Sequence, residues 1–228
     1  MKTTIIASVS ALLISLSAYA QEAPAIPVGS LSTNLSIYRP NVKPYLTWDI
    51  EYPEDVTDVV VIPPDEEVET KTRLRVQVSV IGVGLTDSSG RQYDAQSYMH
   101  FSSSGWQQIF YGKGRDVNPS QIIIDKVVEQ GETIRFAARY PGGSLGYQYN
   151  ESNNVVVLKN GDTPPGKDAG YNSQSSVAEF LRPYVQDGKL ALGPLDLIYC
   201  AEVTHTNPNH YGFDLQDTIV LVRFTKVP

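Results

Sequence analysis

Glu202, Asp214 and Asp217 bracket a polar loop, His205 to Asp217. Carboxylates together with loop carbonyls are the donor set that hard cations take, so calcium is the ion these residues could hold. The same spacing suits a second task. A carboxylate beside a turn or a strand entry accepts backbone N–H groups, and of the two roles the Asp214/Asp217 spacing favours capping. A second acidic run, Asp65, Glu66, Glu67 and Glu69, lacks spaced oxygen ligands and reads as a solvated loop tip.

Aromatic residues suggest a different chemistry. Tyr147 and Tyr149 stand in a glycine-rich loop stretch, where exposed rings could stack on sugars. This makes a carbohydrate-binding module one reading. Trp48 alternates with polar neighbours and is expected to fill a core instead. A nucleophile reading also exists. Gly142-Gly143-Ser144-Leu145-Gly146 fits G-x-S-x-G, with His205 and His210 downstream. That motif works at a strand-to-helix turn. Here Pro141 precedes it and Tyr147-Gln148-Tyr149-Asn150 follows, which is not helical. A Ser or Cys hydrolase is therefore disfavoured, and no catalytic residue is assigned. Cys200, the only cysteine, can form no internal disulfide and is expected to be a small buried hydrophobe. The histidines, His100, His205 and His210, lack the cysteine pair or H-E-x-x-H that zinc would need, and turn-capping is the expected role of the last two.

The elements that position these residues are mostly strands. Leu46, Trp48, Ile50 and Tyr52 alternate with polar residues, as do Leu74, Val76, Val78 and Val80. Gly82 and Gly84 predict a β-bulge or a bend. Further strands are predicted at 97–101, 106–111, 122–128, 133–140, 155–158, 195–204 and 218–225. One helix is predicted near Ser176 to Gln186. Ser176 and Glu179 have capping-box spacing, Val177, Phe180, Leu181, Tyr184 and Val185 form one apolar stripe, and Pro183 predicts a kink or two short turns. The expected fold is mainly β, an antiparallel β-sandwich of Ig-like or jelly-roll-like type, with a small C-terminal helix-plus-hairpin element docked on it. The expected divisions are a signal peptide at 1–20, a β-sandwich domain at 21–160, a Pro/Gly linker at 161–172 and an α+β element at 173–228.

The compartment is read from the first twenty residues. Lys2, an apolar run from Ile5 to Leu16 and Ala18-Tyr19-Ala20 form a secretory signal with cleavage between Ala20 and Gln21. Secretion or periplasmic residence in a bacterium follows. The formal charge is −7, and −8 once Lys2 is removed. That balance argues against nucleic acid, which needs a basic face. No later stretch is apolar enough for a membrane span, so the mature form should have none. With 41 % hydrophobic residues the chain can build a core without disulfides.

Several segments carry a resemblance. They are Leu46-Thr47-Trp48 with Ile50 and Tyr52-Pro53, Asn160-Gly161-Asp162-Thr163-Pro164-Pro165, Gly193-Pro194-Leu195-Asp196, Glu202-Val203-Thr204-His205-Thr206-Asn207-Pro208, and Gly212-Phe213-Asp214-Leu215-Gln216-Asp217. Together they resemble a family of uncharacterised exported bacterial β-rich proteins with no assigned activity. The resemblance implies export and little else. The Asp214/Asp217 strand entry is also similar to acidic motifs in calcium-dependent bacterial surface domains. The expected function is a non-enzymatic binding or structural role at the cell envelope, with a glycan or an envelope protein as partner and calcium as the one candidate cofactor.

Overall fold

The computed structural model describes residues 27–33, 41, 43, 45–63, 67–142, 147–148, 154–167, 170 and 175–227. The chain divides into two units, Met1–Pro53 and Glu54–Pro228. In the first, β1 (Val28–Thr33) and β2 (Leu46–Glu51) pair antiparallel, with Leu31 opposite Trp48. The period-two pattern does form a strand, and Leu46, Trp48 and Ile50 lie on one face of it. The expectation that Trp48 is core is corrected, because its residue surface is 72 % exposed and every residue of both strands is exposed. A two-stranded ribbon has no second layer of its own to bury an apolar face.

The second unit holds two larger antiparallel sheets. One runs β3 (Val60–Val61), β4 (Val68–Thr70), β9 (Thr133–Arg139), β6 (Ala95–Phe101) and β7 (Gly105–Gly112), with β10 (Tyr147–Gln148) also paired to β9. The other runs β11 (Val155–Lys159), β14 (Asp196–Ala201), β15 (Thr218–Lys226), β5 (Leu74–Gly82) and β8 (Ile124–Val128). A small ribbon, β12 (Val185–Gln186) and β13 (Lys189–Leu190), completes the strands.

Alternation explains the core. Val76, Val78 and Val80 from β5, Leu197 and Tyr199 from β14, and Val220, Val222 and Phe224 from β15 point one way. They join Met99 and Phe101 of β6 and Ile134 and Phe136 of β9 in a single buried cluster. The intervening residues of the second sheet are also buried. Ile81, Ile198, Cys200, Ile219 and Leu221 pack with Val177, Leu181, Phe213 and Leu215 on the opposite face. A strand covered on both sides reads as a continuous apolar run, which is why Ile219 to Val222 shows no alternation. The register of β15 on β5 shifts between Ile219 and Val220, which face Gly82 and Val80. Ile81 is thus the extra residue of a bulge beside the predicted glycine.

The helix is short. In α1 (Val177–Leu181), the Ser176 hydroxyl accepts from the Glu179 N–H at 3.2 Å, and Glu179 Oε2 accepts from the Ser176 N–H at 3.0 Å. A 3-10 turn at Arg182–Tyr184 follows, where Pro183 cannot donate to an α-helical ladder. Strands on either side of the 161–172 segment belong to one sheet. β11 before it and β14 after it pair directly, Val155 with Ala201 through Lys159 with Leu197. The C-terminal strands are inner members of the sheet, not an appended hairpin. Among the described residues, no helix is long and apolar enough to cross a membrane.

Candidate functional site

The sheet brings the acidic residues together. Ala201 is the last residue of β14 and pairs with Thr218, the first of β15. One step beyond that pair on each strand stand Glu202 and Asp217. The connecting loop then folds back so that Asp214 joins them, and one oxygen from each of the three lies within 4.8 Å of the others. Their residues are 0 %, 3 % and 4 % exposed for Glu202, Asp214 and Asp217.

Backbone donors hold each carboxylate. Glu202 Oε1 accepts from the Thr204 N–H at 2.9 Å, the Thr204 hydroxyl at 2.6 Å and the His205 N–H at 3.0 Å. Glu202 Oε2 accepts from the Asp214 N–H at 3.1 Å. Asp217 Oδ2 accepts from the Val203 N–H at 2.7 Å. Asp214 Oδ2 accepts from the Gly170 N–H at 3.0 Å and from Gln216 Nε2 at 2.8 Å. The N–H capping read from the spacing is therefore present. Leu215, between these acids, is buried in the left-handed region at φ 60°. For a non-glycine residue that conformation costs about 1–2 kcal/mol.

The electrostatics are unbalanced. Burial is the main force pushing the Asp214 carboxyl up to about 7, with the neighbouring Glu202 charge adding to it against the Gly170 N–H. Burial, then the charges of Glu202 and Asp214, hold Asp217 well above the ordinary carboxylate range. Among the described residues, the one basic side chain within 4.0 Å of a triad carboxylate is His205, whose Nδ1 lies 3.5 Å from Glu202 Oε1. Among the described residues, no donor reaches the buried Asp214 Oδ1 or Gln216 Oε1.

The two loop histidines are brought together by stacking. The His205 and His210 rings lie 4.1 Å apart at 17°. Rings packed face to face do not converge their nitrogens on one ion. His210 Nδ1 instead accepts from the Gly212 N–H at 3.1 Å, a turn-capping contact. A Cβ on Gly212 would stand 2.7 Å from the His205 ring, so this approach needs glycine.

A cavity of about 380 Å³ adjoins the acidic cluster. Its walls include Leu85, Asp87, Tyr93, Asp94 and Tyr140, together with Thr204 and His205. The last two are the residues whose N–H groups Glu202 grips. Sequence reasoning missed this pocket, because its walls come from three regions more than sixty positions apart at the widest gap (Pro141 to Thr204). On one wall Asp87-Ser88-Ser89-Gly90 forms a turn. There Asp87 Oδ1 accepts from the Ser89 N–H at 2.9 Å, and Asp87 Oδ2 from the Tyr93 hydroxyl at 2.9 Å.

Other expected residues are placed as follows. Cys200 is fully buried, and burial pushes its thiol up to about 12. Glu67 of the acidic run pairs with Arg135, while Asp65 and Glu66 lie outside the described residues. So do Ser144, Tyr149 and the side chain of Tyr147, whose backbone pairs with Ala138. No known protein family, curated protein or solved structure matches the chain.

Proposed function

We propose that this chain is an exported, non-enzymatic β-sandwich protein with a binding role at the cell envelope, and that its pocket receives a small neutral, hydroxyl-rich ligand of the saccharide class. The sandwich reading is supported by the single hydrophobic cluster that residues of both large sheets share. The pocket is the observation that carries the binding reading. Its volume falls within the range of small-molecule sites, which is roughly 300–1,000 Å³.

The lining narrows the ligand. Leu85, Tyr93, Tyr140 and Pro141 offer an apolar surface, and Thr86, Thr204, Asp87 and Asp94 offer hydroxyls and carboxylates. Among the described residues no Lys or Arg lines it, and its carboxylates disfavour an anion. An organic cation is disfavoured too. The Arg91 guanidinium already lies 4.7 Å from the Tyr93 ring centre and 3.4 Å from Asp87, and would repel a second positive charge. A sugar suits what is left, with C–H faces on tyrosine and hydroxyls on the acids.

Calorimetric titration tests this, with cellobiose, maltose and di-N-acetylchitobiose as neutral probes, choline as the cation and glucuronate as the anion. At least one neutral disaccharide should bind, and Tyr140→Ala should weaken it about tenfold, equivalent to about 1.4 kcal/mol. Binding of choline or glucuronate alone, no heat from any probe at millimolar concentration, or a Tyr140→Ala variant that binds like the parent overturns the reading.

A further inference from the structure

We propose that Glu202, Asp214 and Asp217, joined by the amide oxygen of Gln216, form a calcium site that ties the loop between β14 and β15 to the ends of those strands. This goes beyond the saccharide reading and does not depend on it. The two share only the segment from Glu202 to His205.

Three carboxylates almost without solvent exposure place up to three negative charges in a region where an uncompensated charge is costly. Among the described residues no lysine or arginine pairs with any of them. Lys167 is nearby in the loop region, but its Nζ donates to the Pro208 carbonyl at 2.8 Å and lies 5.3 Å from the Phe213 ring centre. N–H capping gives each carboxylate its own donors but does not neutralise three charges gathered within 4.8 Å.

The second observation concerns oxygens with no partner. Among the described residues, Asp214 Oδ1, a member of this group of acids, is buried without a donor. Gln216 is 0 % exposed, its Oε1 is likewise without a donor, and its Nε2 is held against Asp214 Oδ2 at 2.8 Å. Buried acceptors are nearly always satisfied. A cation held by both satisfies them, and so would a proton on Asp214 Oδ1 donated to the Gln216 oxygen; only the cation makes stability depend on calcium. The existing hydrogen bonds leave room for it. Glu202 Oε2 accepts one N–H and keeps a lone pair, and Asp217 uses Oδ2 on Val203.

The donors choose the ion. They are all oxygen, three of them charged, which suits a hard divalent cation. Magnesium keeps several of its waters, and this site is too enclosed for a water shell. Calcium accepts roughly six to eight oxygens, from carboxylates, carbonyls and water, in flexible geometry.

The test uses the full chain. Thermal melting is compared in chelator, in calcium and in magnesium, and ion-depleted protein is titrated with calcium by calorimetry. The melting temperature should rise with calcium concentration, as binding to the native state requires. Magnesium should have a smaller effect, and the titration should show a single site. Asp217→Asn keeps an acceptor for the Val203 N–H but removes a charge. It should lose the calcium response, yet in chelator melt no lower than the parent. Gln216→Leu should bind calcium more weakly and serves if the first variant fails to fold. A parent that melts identically in calcium and chelator, with no heat of titration, overturns the proposal. So does an Asp217→Asn variant that melts lower in both conditions while keeping its calcium response. A magnesium response as large as that of calcium overturns the choice of ion. Loss of saccharide binding with the calcium response intact would sink only the pocket reading.

Discussion

Cys200 sits where its chemistry is silenced by its surroundings. The residue is fully buried in the cluster with Ile198, Ile219 and Leu221, and its thiol is pushed up to about 12 by desolvation. The thiolate is the reactive form, so a thiol reagent should label native protein only as fast as the structure opens, and quickly in denaturant. Rapid labelling of native protein would show that the sheet exposes this strand. At the same scale, the site was only partly legible in the sequence. Glu202, Asp214 and Asp217 stood out because acids crowd one short loop. Gln216 did not, since an amide beside a strand looks like any surface residue, and its burial is set by tertiary packing. Nothing local marked Tyr140 or Asp94 as sharing a wall with Thr204, because only the fold brings them together.

The edge strand β8 shows how polar residues hold an element in register. Asp125 lies across from Gln77 on β5. Its Oδ1 accepts from Arg75 Nε at 2.6 Å, and its Oδ2 from Arg75 Nη2 at 2.6 Å and Gln77 Nε2 at 3.0 Å. Hydrogen bonds from Arg75 and then Gln77 lower the Asp125 carboxyl from 3.8 to about 2. A carboxyl lowered by folding adds stability that is present above its unfolded value and lost as pH falls through its folded value. The window here runs from about 4 down to about 2. Asp125→Asn should therefore lose less melting temperature than the parent between pH 5 and pH 2, with the parent more stable at pH 5. Parallel acid melting curves would remove this role. Element by element, alternation made β5 readable, since Val76, Val78 and Val80 fall on the core side. It misled at β2, where the same pattern lines an exposed ribbon. Alternation reports a two-faced strand but not what covers the apolar face. The helix was placed by its capping box, while its short length follows from Pro183.

At the scale of the whole molecule, export is a proposal drawn from the first twenty residues. Protein recovered from the periplasm or medium of an expressing bacterium should have an intact mass beginning at Gln21. Recovery of the uncut chain from that fraction would contradict the cleavage rule, and retention of all the protein in the cytoplasm would contradict export. The topology has a further consequence for timing. In the second sheet β15 lies between β14 and β5, and Leu74 to Gly82 pair on that side with residues 219–226. Such distant pairing makes folding slow, because a long loop must close before any contact rewards it. Neither β5 nor β14 can gain its central neighbour while residues 218–226 are still being synthesised. The second sheet of such a chain cannot close until residues 218–226 arrive, and for a protein proposed to be exported that delay would keep this part threadable through a narrow translocation channel.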